Sequence, residues 1–126
     1  MLIVDDREDE RYLLRRRLRK IDASFAITEA ASAAEAERVL ADSACRFDVV
    51  FLDVNMPIVS GMDLLPRLAD LRERHAHLAD LAVLMYTSSI APADADAARA
   101  HDFVHAFLDK DSDLESMRAH VNAALG

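Results

Sequence analysis

The sequence predicts an α/β fold: one five-stranded parallel sheet, doubly wound, with helices on both faces in a (βα)5 pattern. Three observations carry this. Apolar, strand-like runs and amphipathic helical stretches alternate five times along the chain, the pattern of parallel strands joined by right-handed crossovers. The runs are apolar almost throughout, as suits strands covered on both faces. The clearest of them, Phe47-Asp48-Val49-Val50-Phe51-Leu52, stops at Asp53 and a proline turn, Val54-Asn55-Met56-Pro57. Ligands of open α/β sheets bind outside the carboxyl ends of the strands. Asp53 is therefore the candidate reactive residue.

The elements follow in order. Met1 to Val4 reads as a buried strand ending at the acidic pair Asp5-Asp6. Arg7 to Lys20 reads as a helix, with Leu14, Leu18 and Ile21 on its buried stripe and Leu13 beside it. Ser24 to Ala30 is expected as a second strand, at an edge. Ser32 with Glu35 three residues on is a capping-box pattern, opening a helix with Ala36, Val39 and Leu40 inward. After the third strand, Gly61 precedes a helix reaching about His77 on Leu64, Leu65, Leu68 and Leu71. Pro66 fits there only near the first turn, where its missing N–H costs least. Leu81 to Tyr86 is a fourth strand ending at Thr87-Ser88-Ser89. Pro92 to His101 is helical but has only alanines as anchors. Val104 to Leu108 is a fifth strand, followed by Asp109-Lys110. Asp113 to Leu125 is a last helix, buried through Leu114, Met117, Val121 and Ala124.

Composition narrows the function. With 126 residues there is room for one domain and little else, and a hydrophobic share of 52% argues against disorder. The formal charge of −8 speaks against binding nucleic acid through the bulk surface. No apolar run is long enough for a membrane span and no signal peptide is visible. Cys45 is the only cysteine, so no disulfide framework exists and a cytoplasmic location is expected.

Asp5-Asp6, Asp53, Thr87-Ser88 and Lys110 all follow strands, and a parallel sheet brings its carboxyl ends to one edge. These residues therefore converge. Three carboxylates in one crevice repel one another unless a cation sits among them, and an all-oxygen set suits a hard ion such as Mg²⁺. A lysine and a hydroxyl beside them suit a phosphoryl group, since both satisfy its oxygens. Asp53 can then act as the nucleophile that forms an acyl phosphate.

This arrangement resembles the receiver domains of two-component response regulators over the whole chain. The resemblance rests on Leu2-Ile3-Val4-Asp5-Asp6, on Leu52-Asp53-Val54-Asn55-Met56-Pro57 with Gly61, on Thr87-Ser88, and on Phe107-Leu108-Asp109-Lys110. It implies a flavodoxin-like strand order, 2-1-3-4-5. It implies that Asp53 accepts phosphoryl from a sensor histidine kinase or a histidine phosphotransfer protein. Asp6, Asp53 and the backbone carbonyl of Asn55 would hold Mg²⁺, with Asp5 acting through water. Lys110, Thr87 and Ser88 would bind the phosphoryl oxygens, Thr87 would be coupled to rotation of Phe107, and Asn55 and Ser89 would flank the attacking water. The expected protein is a stand-alone response regulator, a receiver over residues 1–126 with no output domain. It would be a regulatory module with slow autophosphatase chemistry rather than an enzyme. The ending Lys110-Asp111-Ser112-Asp113-Leu114-Glu115 is similar to regulators paired with phytochrome-type kinases. A phosphate-independent interaction module is the alternative. An aspartyl-phosphate phosphatase of the haloacid dehalogenase kind is a weaker one, because Asn55 stands where those enzymes carry a second aspartate.

Two positions depart from the receiver pattern. Asp111 follows Lys110 where proline, often with a cis bond, is usual. A cis bond before a non-proline residue costs about 3 kcal/mol, so Lys110–Asp111 is expected to be trans, with Asp111 a competitor for the lysine ammonium. Phe103 stands where glycine is common. Its ring either tucks beneath the alanine-rich helix or forms an exposed patch with Val104 and Phe107. The exposed case would suit a partner or homodimer interface on the face of the fourth helix, fifth strand and fifth helix. Arg15-Arg16-Arg17 reads as a solvated helix face or as a docking patch.

Overall fold

The computed structural model describes residues 1–88 and 90–126. Five strands, β1 Leu2–Val4, β2 Thr28–Ala30, β3 Val49–Leu52, β4 Ala82–Thr87 and β5 Val104–Asp109, form one sheet. Helices α1 Glu8–Ile21, α2 Ala33–Ala41, α3 Gly61–Arg74, α4 Pro92–Arg99 and α5 Leu114–Leu125 alternate with them. The strand order is β2-β1-β3-β4-β5 and every pairing is parallel. This is the doubly wound, flavodoxin-like α/β order that was expected. No helix among the described residues is long and apolar enough to cross a membrane.

Successive side chains of a strand point to opposite faces, and the sheet uses both. Val4, Val50, Leu52, Val83 and Met85 pack in one core with Ala36 and Leu40 of α2, Leu64, Leu65 and Leu68 of α3, and Ala98 of α4. Ile3, Val49, Phe51, Leu84 and Tyr86 pack on the other side with Leu14 and Leu18 of α1 and Met117 and Val121 of α5. The helices stop and start on local chemistry. Ser32 caps α2 by accepting from the Glu35 N–H. Ser60 and Asp63 form a full capping box at α3, which the sequence reading passed over.

Several elements differ from expectation. β2 begins at Thr28, where it pairs with Leu2, and not at Ser24, which is taken up in a side-chain-bonded turn with Asp22. α3 ends at Arg74, with His75 as its C-cap and a short 3-10 turn over Ala76–Leu78. Pro66 lies in the second turn of α3, where it cannot donate to the Met62 carbonyl, yet the helix runs on. Leu13 points to solvent and is 53% exposed, being one position off the α1 stripe. The helix before β5 is held by Ala95 and Ala98, as expected.

The Phe103 ring is buried, only 6% exposed, and belongs to the core that includes Ala98. The Arg72 guanidinium covers its outer face, 4.9 Å from the ring centre. Phe103 is thus not the centre of an exposed interface patch. Alanines leave space under a helix end, and an aromatic ring fills it with far more apolar area. Val104 is half-buried against the same core.

Candidate functional site at the carboxyl edge of the sheet

β1 and β3 are neighbours in register, with Val4 opposite Leu52. The residues after them, Asp5 and Asp53, therefore emerge side by side. The Asp53 N–H donates to the Val4 carbonyl at 3.0 Å, and the Asp5 N–H to the Ala30 carbonyl at 3.1 Å. Both carboxylates are nearly buried, with Asp5 3% and Asp53 4% exposed. Behind Asp53 the chain turns back to α3 so closely that Gly61 donates to the Val54 carbonyl at 3.0 Å. A Cβ on Gly61 would stand 2.2 Å from the Asp53 carbonyl oxygen.

Asp5, Asp6 and Asp53 each offer a carboxylate oxygen within 4.8 Å of the others. Their roles are not alike. Asp5 is engaged from two sides: one oxygen accepts from the Arg7 N–H at 3.0 Å, the other from Lys110 Nζ at 2.9 Å. Asp6 is exposed. Lys110 Nζ also lies 3.5 Å from Asp53 and 3.7 Å from Glu10, so one ammonium faces three carboxylates. Burial and the charge of Asp5 raise the Asp53 pKa; Lys110 and the Asn55 backbone N–H pull against them. Burial works against the charge on Lys110 but is outweighed by its bond to Asp5 and the charges of Asp5, Asp53 and Glu10, so its pKa is raised. A buried acid that remains strained by its neighbour, in an all-oxygen set, fits a hard divalent cation.

The remaining candidates gather around this centre. Thr87 ends β4, is buried, and its carbonyl accepts from the Lys110 N–H at 3.1 Å. Thr87, Ser88, Ile90 and Phe107 line a cleft of about 270 Å³. Phe107 is half-buried there, with the Arg99 guanidinium 4.7 Å from its ring centre. Asn55 is exposed on the loop after Asp53. Ser89 lies outside the described residues.

No cis peptide occurs among the described residues, so Lys110–Asp111 is trans. Asp111 does not compete for the ammonium; it is exposed, its N–H is bonded to the Asp109 carboxylate at 2.8 Å, and Glu10 is the additional acid instead. Glu10 was missed by the sequence reading. Its signal was its place in the first turn of the helix after the acidic pair, four residues before the buried Leu14 and so on the same face.

Fold and site together define an α/β protein with an acid and lysine centre at the carboxyl edge of a 2-1-3-4-5 sheet. The chain belongs to the response regulator receiver domain family, whose profile matches residues 1–122. It is similar to the chemotaxis protein CheY4 of Vibrio cholerae, at 26% identity and a TM-score of 0.79, covering 98% of this chain and 96% of that one. A response regulator receiver domain protein from Clostridium thermocellum shares 24% identity with a TM-score of 0.74, covering 98% and 91%. A CheY-like receiver domain protein from Methanospirillum hungatei JF-1 shares 17% with a TM-score of 0.80, covering 98% and 90%. The last two likenesses speak for the fold alone. No curated protein gives a significant match.

Proposed function

We propose that this receiver domain accepts a phosphoryl group on Asp53 from a phosphohistidine of a sensor kinase or phosphotransfer protein. The observation that carries the reading is the convergence of Lys110 Nζ on Asp5 at 2.9 Å and Asp53 at 3.5 Å, beside Asp6, at the carboxyl edge of the sheet. An Asp53 carboxylate oxygen attacks phosphorus, the P–N bond to the donor histidine breaks, and an acyl phosphate remains. Lys110 and the Thr87 hydroxyl take up the phosphoryl oxygens, as charged and neutral donors at fixed positions. Asp6 and Asp53, with the Asn55 carbonyl, would hold Mg²⁺, and Asp5 would act through water because Lys110 and the Arg7 N–H already occupy it. When bound, Mg²⁺ supplies charge neutralisation to the phosphoryl oxygens.

Occupancy of the site would be signalled through Thr87 and Phe107, which share a cleft, and onward to the weakly anchored α4, whose Arg99 covers the Phe107 ring. Water attack on the acyl phosphate would return the domain slowly to its resting state. A beryllofluoride titration tests the reading. The expected result is saturable binding of one equivalent that requires Mg²⁺ and is lost in Asp53→Asn. Absence of binding in the presence of Mg²⁺ contradicts it.

A further inference from the structure

Of three adjacent arginines of α1, two flank the Tyr12 ring and the third turns away from it. Arg15 pairs with Glu29. Arg16 lies 5.7 Å from the centre of the exposed Tyr12 ring. Arg17 turns inward and serves neither a solvated face nor a docking patch. Its guanidinium donates to three oxygens brought from two other parts of the chain. These are the Tyr86 hydroxyl at 3.2 Å, the Lys110 carbonyl at 3.2 Å, and the Ser112 carbonyl.

These acceptors are the loop between β5 and α5 and the floor beneath it. The loop is the segment where Asp111 stands in place of the usual proline. From within, Asp109 ties it as a turn: its carboxylate accepts from the Asp111 N–H and its carbonyl from the Ser112 N–H at 2.9 Å. From outside, the planar guanidinium holds both carbonyls from two nitrogens at a fixed spacing, a geometry that the shorter, point-like ammonium of lysine reproduces less well. The Lys110 backbone is thus held on both sides, its N–H by the Thr87 carbonyl and its own carbonyl by Arg17. The third acceptor matters as well. Tyr86 packs edge-on against Phe51, with ring centres 6.2 Å apart, and its ring lies 5.8 Å from Lys110 Nζ. Arg17 therefore fixes the loop that carries Lys110 and also the ring over which its side chain passes.

We propose that Arg17 is a positioning residue for Lys110: it sets the β5–α5 loop so that the ammonium reaches the phosphoryl site. This rests on the proposed phosphoacceptor role of Asp53. Arg17 touches no carboxylate of the acid cluster, so its removal should separate two affinities. Mg²⁺ binding depends on Asp6 and Asp53 and stays intact. Binding of a phosphoryl mimic depends on the ammonium and weakens.

The test titrates Mg²⁺ alone, then beryllofluoride at saturating Mg²⁺, on wild type, Arg17→Met, Arg17→Lys and Tyr86→Phe. Losing charge-assisted bonds to the loop should weaken beryllofluoride about tenfold in Arg17→Met, with Mg²⁺ affinity retained. Arg17→Lys should recover only part of the loss, and Tyr86→Phe should lose less than Arg17→Met. Thermal unfolding checks the fold; if Arg17→Met does not fold, the same split in Arg17→Lys decides. Undiminished beryllofluoride binding in both Arg17 variants overturns the proposal. So does an equal weakening of Mg²⁺ and beryllofluoride, which marks a merely structural role. Failure of the wild type to bind beryllofluoride overturns the phosphoacceptor reading itself.

Discussion

Gly61→Ala is a one-methyl perturbation aimed at the backbone that carries Asp53. The reason for glycine there is space. A Cβ would stand 2.2 Å from the Asp53 carbonyl oxygen and 2.9 Å from the Val54 Cα. Ordinary non-bonded contact begins near about 3.5 Å, so the start of α3 and the Asp53–Val54 peptide must part by roughly 1 Å. Forcing a methyl group into packed structure costs about 1–3 kcal/mol. The bond from the Gly61 N–H to the Val54 carbonyl, 3.0 Å long, would stretch or break, at about 1 kcal/mol. The better helix propensity of alanine returns under about 1 kcal/mol. The net loss is about 2–3 kcal/mol, or a fall in Tm of roughly 6–15 °C for a domain of this size. A displacement of this scale at a reacting group also lowers function, by up to about a hundredfold. Thermal unfolding by circular dichroism reads the first effect, and acetyl phosphate labelling of the folded variant reads the second. A variant with wild-type Tm and wild-type labelling would refute the reasoning.

Three further predictions follow from the same geometry. Lys110→Met leaves Asp5, Asp53 and Glu10 facing one another, and removing one partner of a largely buried ion cluster costs about 3 kcal/mol. Denaturant unfolding should show this loss without Mg²⁺ and a larger rescue by Mg²⁺ than in wild type; equal stability of the two proteins would contradict it. Burial and then Asp5 raise the Asp53 pKa above the ordinary 3.8, so the native state holds this proton more tightly than the unfolded chain does. The stability Asp53 contributes is therefore lost as pH rises from the ordinary value through the native one. Metal-free Asp53→Asn should be more stable than wild type at neutral pH, with the gap closing on acidification, and a gap that widens with acid would show the sign to be wrong. Ile58 is fully exposed and has φ 68° on the loop after Asp53, a conformation that a β-branched residue rarely adopts. Asparagine tolerates that conformation better, so Ile58→Asn should raise stability by about 1 kcal/mol in chemical denaturation, and a lower stability would argue against strain there.

The parallel sheet and the convergence of Asp5, Asp6, Asp53, Thr87 and Lys110 were legible from the alternation of strands and helices, whereas the strand order came only from the family resemblance. Once the strands are parallel, their carboxyl ends share an edge whatever lies between them. Side-chain reach was not legible in the same way. Glu10 and Arg17 lie at the spacing of the Leu14, Leu18 and Ile21 stripe of α1, so their face was legible, but which partners a long charged side chain on that face would reach was not. Arg17 finds the Lys110 carbonyl 93 residues away, on a loop whose shape depends on Asp109. Phe103 was ambiguous for a different reason. It follows a helix anchored by alanines, and whether a ring there tucks in depends on the depth left under the helix and on Arg72 above it. Boundaries failed where local bonds compete with a ladder or helix, as at Asp22–Ser24.

The account turns on Asp53 as the phosphoacceptor. The most direct measurement is to treat wild type and Asp53→Asn with acetyl phosphate, with and without Mg²⁺. Intact mass then reads the labelling, and borohydride reduction followed by peptide sequencing locates the acyl phosphate. The account predicts a single phosphoryl group, dependent on Mg²⁺, on the peptide carrying Asp53 and absent from Asp53→Asn. Equal labelling of the two proteins, or a label mapped to any other residue, would contradict it.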